Sequence, residues 1–187
     1  MDVIDAISHR RSVREYTEQR IPSELMDELL RMSTLAASGN NMQPWGFVVI
    51  QDREEIEFLN RAVKSSLLTH LDDIPHLQPY RPKLEDPDFS VLNHTSNLVI
   101  IYGDTAAHYY TCDCSLAAAN LMLAGRSKGI ESCWIGFAEY YFDTPIFKEA
   151  YHIPERYALV SVLTMGYPLH PPAEAPARRP PLVFHRT

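Results

Sequence analysis

What this 187-residue chain lacks narrows its function first. It has three cysteines, Cys112, Cys114 and Cys133, an odd number that cannot all pair within one chain. A disulfide framework is therefore not expected. It lacks an excess of positive charge: 17 Lys and Arg against 24 Asp and Glu leave a net charge of -7. General nucleic-acid binding needs a basic face to neutralise phosphates, and that class is set aside. No apolar run approaches membrane-spanning length, so no membrane partner is expected. The start, Met1-Asp2-Val3-Ile4-Asp5, carries acids where a secretory signal carries bases, and a cytoplasmic location is the expectation.

Familiar catalytic signatures are also missing. No Gly-x-Gly-x-x-Gly follows a strand, and no Walker-type lysine loop occurs. Cys112-x-Cys114 lacks the paired spacing of zinc or iron–sulfur ligands, so no metal is expected. The eight histidines are scattered. His70 and His94 are the two placed near an expected pocket, and neither belongs to a recognisable triad. Ser12 lacks the strand–turn setting of a nucleophile elbow.

What is present is the pattern of a globular domain, with 45% apolar and 22% charged residues. The length suits one domain with a full core. Asp2 caps a short first helix with Val3, Ile4 and Ile7 on its apolar side. A second helix starts at Pro22-Ser23-Glu24, carries Leu25, Leu29 and Met32 at helical spacing, and is expected to end near Ser38-Gly39. Residues 46–50 read as a buried strand. Residues 52–70 read as a helix with Ile56, Leu59, Val63 and Leu67 on one side. Residues 74–87 hold four prolines and no clear period. They read as a surface excursion with the character of a lid.

Residues 98–102 form a strong strand. Residues 112–128 are the most apolar helix and, being apolar almost all round, the expected centre of the fold, with Gly129 as its stop. A strand at 132–134, a helix opened by Asp143-Thr144-Pro145 and a strand at 158–165 follow. The proline-rich tail from 170 extends along a surface. Alternating strands and helices give an α/β or α+β class with a mixed central sheet.

Four segments could carry chemistry. Arg10, Arg11 and Arg14 surround Ser12 at a helix-to-loop boundary. Arginine forks and a serine hydroxyl suit a phosphate, although a solvated basic patch has the same composition. Ser38-Gly39-Asn40-Asn41-Met42-Gln43-Pro44-Trp45 supplies unusual backbone angles and amide groups suited to a heterocycle edge, or simply a helix cap and turn. Ser132-Cys133-Trp134-Ile135-Gly136 ends a strand in glycine, which lets a flat ligand approach. Gly166-Tyr167-Pro168, with Arg178-Arg179-Pro180 beyond it, could return charge to the first segment.

In this order the four segments resemble the nitroreductase family. Arg10-Arg11-Ser12-Val13-Arg14-Glu15-Tyr16 is similar to its R-R-S-x-R-x-F motif, with tyrosine for the commoner phenylalanine. The Ser38-to-Trp45 stretch is similar to S-G-x-N-x-Q-P-W, with Ala37 where many relatives have proline. Ser132-Cys133-Trp134-Ile135-Gly136 and Gly166-Tyr167-Pro168 match as they stand. Thr95-Ser96-Asn97 stands where an Ala-Pro pair often precedes the strand.

The resemblance implies an α+β fold over residues 1–187, with 65–95 a variable lid-like excursion and 170–187 an extended tail. It implies an intertwined homodimer with FMN at the interface, NADH or NADPH as electron donor, and a small-molecule acceptor such as a nitroaromatic or quinone. Residue by residue, Arg10, Arg11, Ser12 and Arg179 would hold the FMN phosphate, with Arg178 a weaker candidate. Arg14 would lie at the N1–O2 edge of the ring as the catalytic cation. Ser38, Gly39 and Asn41 would reach the cofactor from the partner subunit. Ile135 and Gly136 would present backbone N–H groups near N5 and O4. A reductive dehalogenase, a flavin-cleaving enzyme and a flavin-binding protein without turnover are the alternatives.

Overall fold

The computed structural model describes residues 1–187 apart from 74, 173 and 175. Helices α1 (Val3–His9) and α2 (Ser23–Ser33) precede strand β1 (Trp45–Ile50) and the long helix α3 (Arg53–His70). A short helix α4 (Arg81–Glu85) leads to β2 (Leu98–Asp104), the central helix α5 (Tyr110–Ser127) and β3 (Glu131–Trp134). Helices α6 (Glu139–Phe142) and α7 (Pro145–Ala150) then precede the last strand, β4 (Tyr157–Gly166). No described helix is long and apolar enough to cross a membrane.

The four strands lie in the order β1-β2-β4-β3, and every neighbouring pair is antiparallel. The mixed character expected of the sheet is limited, among the described residues, to a parallel bridge between Ser12 and Ser132. The run Leu98-Val99-Ile100-Ile101-Tyr102 is continuously apolar because β2 is covered on both faces. Leu98, Ile100 and Tyr102 join the core under α3, α6 and α7. Val99 and Ile101 join the core under α2 and α5. Side chains alternate between faces along a strand, so two-sided burial requires apolar residues at every position.

Local signals account for most of the helix boundaries. The Asp2 carboxylate accepts from Asp5 N–H at 2.8 Å, and the Asp52 carboxylate from Glu55 N–H at 2.9 Å. Thr144 caps α7 with Pro145 in its first turn. Gly129, at φ 77°, follows α5 in the left-handed conformation that glycine adopts freely. The apolar stripe of α3 is buried as its spacing requires, with Ile56, Leu59, Val63 and Leu67 at 0–1% exposure.

Three expectations need correction. Helix α2 ends at Ser33, five residues before Ser38. The Ser33 hydroxyl donates to Ala117 O at 2.8 Å, and tight turns carry the chain onward through Leu35 and Ala36. Strand β1 is only half-buried up to Ile50, because it lies at the sheet edge. Helix α5 is central, but its Leu116 is 48% exposed.

The segment expected as a surface excursion also packs more than proline content suggests. Pro75–Tyr80 winds as a 3-10 turn into α4, and Leu77 and Leu84 are buried. Its first residue, Ile74, lies outside the described residues, as do Ala173 and Ala175 of the tail.

Thr95, Ser96 and Asn97 act as polar pins. Thr95 Oγ1 donates to Met165 O at 2.6 Å, and Ser96 Oγ to Glu18 O at 3.2 Å. Asn97 Oδ1 accepts from Ile21 N–H at 2.9 Å and from Gln51 Nε2 at 2.7 Å. With Asn97 only 1% exposed, no water is available to replace these bonds. Asn97→Leu is therefore expected to destabilise the protein by about 2 kcal/mol or more, since a buried N–H left unpaired costs its desolvation. A urea midpoint unmoved by the substitution would contradict this.

Candidate functional site

The arginine segment is held by three other parts of the chain. Arg10 ends α1 with extended backbone, its N–H donating to Ala6 O. The next residues run beside β3: Ser12 bridges to Ser132, and Val13 N–H donates to Ser132 O at 3.2 Å. Thr17 N–H then donates to Tyr167 O at 2.9 Å, and Leu169 N–H to Glu15 O at 3.0 Å. The first, third and fourth sequence segments are thus stitched together by backbone hydrogen bonds.

Tyr16 locks the junction. Its hydroxyl donates to Val13 O at 2.6 Å and lies 3.1 Å from Thr164 Oγ1. Burial pushes this phenol well above the usual tyrosine range, so it remains a neutral donor. Its ring covers Gly166, where an added Cβ would sit 3.0 Å from the ring. The glycine of the Gly-Tyr-Pro stretch is explained by this close approach.

Two cavities meet at Arg14. One, of about 450 Å³, is lined by Arg10, Arg11, Ser12 and Arg14 and by His170, Pro172, Pro176 and Arg178 of the tail. Arg11 Nη1 donates to Ser8 O at 2.8 Å and Arg10 O at 2.6 Å, while its buried Nε has no partner. Among the described residues, none of the ion pairs involves Arg10, Arg11 or Arg14. The acids lining this cavity are Glu15 and Glu174. Three arginines without carboxylate partners beside a serine hydroxyl, all lining one cavity, mark a place for an anion.

The second cavity, of about 330 Å³, also contains Arg14. Phe89, Trp134 and Phe137 give it aromatic walls, and Cys133, Ile135 and Gly136 line it from the β3 end. A Cβ built on Gly136 would meet nothing within 4 Å, so a flat ligand has open room above it. An anion pocket and an aromatic slot sharing one arginine suit a ligand with a charged tail and a planar ring.

The structure corrects two divisions of labour. Ile135 N–H donates to Val162 O at 2.9 Å, because sheet pairing continues one residue past β3. Gly136 N–H makes no backbone hydrogen bond among the described residues, so of the pair it is the available donor. In the tail, Arg178 lines the anion cavity and Arg179 does not.

Ser38, Gly39 and Asn41 line neither cavity in the single chain. They belong to a strained loop: Asn40, Asn41 and Gln43 take φ of 49°, 55° and 48°. Gly39 N–H donates to the carboxylate of buried Asp113, 3.2 Å from each oxygen, which ties this loop to α5. Strained non-glycine backbone held by a buried carboxylate is what a ligand-contacting loop requires.

His70 binds Ser66 O through Nδ1 at 2.8 Å and lines neither cavity, and His94 pairs with Glu57 at 3.2 Å in a separate groove against α3. Tyr80 and Phe89 line the second cavity, whereas Phe142 is core. Asn93 and Lys83 also line it and were not foreseen. Asn93, at φ 55°, donates to Thr164 Oγ1 at 3.1 Å; asparagine's tolerance of left-handed backbone was the readable signal.

Cys133 is buried beside Ser12, Arg14 and Asn93, and burial raises its thiol above the usual range despite the arginine. Burial, then nearby Asp113, pushes Cys114 up to about 12. Brief iodoacetamide treatment of the native protein near neutral pH is therefore expected to leave both unlabelled, because the thiolate is the nucleophile. Mass spectrometry showing rapid alkylation of either would overturn this.

Residues 7–167 match the sequence model of the Nitroreductase family. This chain belongs to that family. A relative from Methanothermobacter thermautotrophicus, bearing the name NADH dehydrogenase/NAD(P)H nitroreductase, is 31% identical over 173 residues, covering 92% of this chain and 80% of its own length. An iodotyrosine deiodinase of Thermotoga neapolitana is 25% identical over 180 residues, covering 92% and 91% of the two chains. Among solved structures, a nitroreductase with bound FMN from Bacteroides fragilis superposes with a TM-score of 0.85 at 25% identity, covering both chains fully. The nitroreductase fold and its α+β class follow from these matches, and NAD(P)H nitroreductase names among the relatives point to an oxidoreductase.

Proposed function

We propose that this nitroreductase-family protein is an FMN-dependent oxidoreductase that passes hydride equivalents from NADH or NADPH to an electron-poor small molecule such as a nitroaromatic or quinone. The observation that carries this is the pair of cavities joined at Arg14, one arginine-rich and one aromatic. FMN bound in the Bacteroides fragilis structure supports the choice of cofactor. The residues fit it. Arg10, Arg11, Ser12 and Arg178 would hold the phosphate, since all four line the first cavity. Arg179 is left as a peripheral charge. Gly136 N–H would hydrogen-bond the ring edge, and Ile135 would shape the slot through its side chain.

FMN, when bound, accepts and donates hydride at N5, so the chain needs no acid–base pair of its own. Arg14 supplies a permanent positive charge where the two cavities meet, and arginine keeps that charge at any working pH. Phe89, Trp134 and Phe137 would flank the ring with apolar surface.

We infer further that residues 1–187 form one cofactor-binding domain that works as a homodimer in the cytoplasm. The dimer reading is supported by exposed apolar residues on separate elements: Val3, Ile4 and Ile7 on α1, Leu35 and Met42 beside the strained loop, and Leu182 and Phe184 in the tail. Such patches mark interfaces. A partner would also bring its Ser38, Gly39 and Asn41 to a site that one chain leaves incomplete.

A visible spectrum of the purified protein with FMN, followed by anaerobic titration with NADH and NADPH, tests the reading. Absence of flavin bands would overturn it. NAD(P)H oxidation that does not accelerate on adding a quinone would leave a binding protein without turnover. Relatives named iodotyrosine deiodinase favour one second reading, reductive dehalogenation. Halide release from a halogenated phenol, without reduction of nitroaromatics, would select it.

A further inference from the structure

Lys83 is a cation that, among the described residues, has no partner and lines the aromatic slot. It sits on α4 and lines the cavity that holds Arg14 and Gly136. No hydrogen bond or ion pair of the Lys83 ammonium occurs among the described residues. The neighbouring cations are committed. Lys64 donates to Asp86 O at 2.5 Å and to Phe89 O at 2.9 Å. Arg81 pairs with Asp72 at 2.8 Å and Glu85 at 3.7 Å.

The rest of that cavity sharpens the point. Among the described residues its walls contain two cations, Arg14 and Lys83, and no aspartate or glutamate. Its apolar surface comes chiefly from aromatic rings, with Tyr80 and Phe137 packed edge to face at 4.9 Å. Tyr80 and Lys83 both come from the covering segment rather than from the sheet. A cation on the cover, facing an aromatic slot free of carboxylates, selects planar ligands that carry a negative group.

We propose that Lys83 makes this site selective for anionic aromatic acceptors, such as a nitroaromatic or quinone bearing a carboxylate. The inference rests on the FMN-oxidoreductase reading and deepens it. In the proposed arrangement Arg14 belongs to the cofactor, and Lys83 is the positive charge left for the substrate. It acts on recognition: the ammonium meets the carboxylate while the ring enters between the aromatic walls. Electrostatic complementarity of this kind sets which partner is accepted more than how fast the chemistry runs.

The test uses the FMN-loaded protein and two acceptors of nearly equal shape, 4-nitrobenzoate and 4-nitrobenzamide. Binding is measured by calorimetry and turnover by NAD(P)H oxidation. The wild type is expected to favour the anion, and Lys83→Met to lower the anion-to-amide ratio of both affinity and kcat/KM by about three- to fivefold, as for an exposed ion pair, mainly through KM. Lys83→Arg is expected to keep most of the preference, and raised salt to weaken it. A yellow, NAD(P)H-oxidising Lys83→Met protein with the wild-type ratio would overturn the inference and leave the oxidoreductase reading standing. A wild-type protein that takes up no FMN would overturn both.

Discussion

Replacing Arg14 by alanine is expected to leave most FMN binding in place while slowing bleaching of the bound cofactor by NADH or NADPH about a hundredfold. The expectation comes from position. Arg14 lines both cavities, and its Nη1 donates only weakly within the chain, to Ser12 O at 3.3 Å. Arg10, Arg11 and Ser12 remain for the phosphate when it is removed. Hydride delivered to the ring slot brings negative charge with it. A preorganised cation at that place is worth a factor of about 10²–10³ in rate when lost.

Lys83 does not replace it, because it stands on the covering segment and is exposed to solvent, where its charge is screened. Arg14→Lys keeps a charge but loses the planar fork, and a partial recovery is expected. Stopped-flow absorbance of the FMN-loaded variant checks the claim. Wild-type bleaching kinetics in Arg14→Ala would rule this role out, whatever happens to the affinity.

The same residues show what a sequence can and cannot disclose. The period of α3 and the unbroken apolar run of β2 were readable because burial dictates composition directly. The three segments that meet around Ser12 were readable only as a set. Nothing in Arg10 to Arg14 alone distinguishes a solvated patch from a site, and the hydrogen bonds to Ser132, Tyr167 and Leu169 that do so are long-range. The pairing of Ile135 N–H with Val162 O was not readable, because a strand's last paired residue depends on where its neighbour ends. That Arg178 rather than Arg179 lines the cavity in the single chain was not readable, because facing in an extended tail depends on register, which proline-rich composition leaves unset. Lys83 and Asn93 were missed for a third reason. They lie in 65–95, where no motif applied, and a lone lysine acquires meaning only once the walls around it prove to lack carboxylates.

Cofactor retention is expected to depend most on Arg11. Arg11→Ala should raise the dissociation constant for FMN by about 10- to 100-fold, the equivalent of one or two charge-assisted hydrogen bonds. Arg10 and Ser12 share the cavity, but the buried, unpartnered nitrogen belongs to Arg11. Its Nη1 donates to Ser8 O and Arg10 O, which holds the guanidinium in place beside the cavity without help from a ligand. Lysine at this position restores charge without that fixed donor, so Arg11→Lys should recover only part of the affinity. The loss should also be smaller for riboflavin, which has the ring and no phosphate. Equilibrium dialysis with both flavins separates the outcomes. If Arg11→Ala weakens FMN and riboflavin equally, the residue supports the site's shape rather than the phosphate, and the split of the arginine cluster into a phosphate end and a ring end fails at its first member.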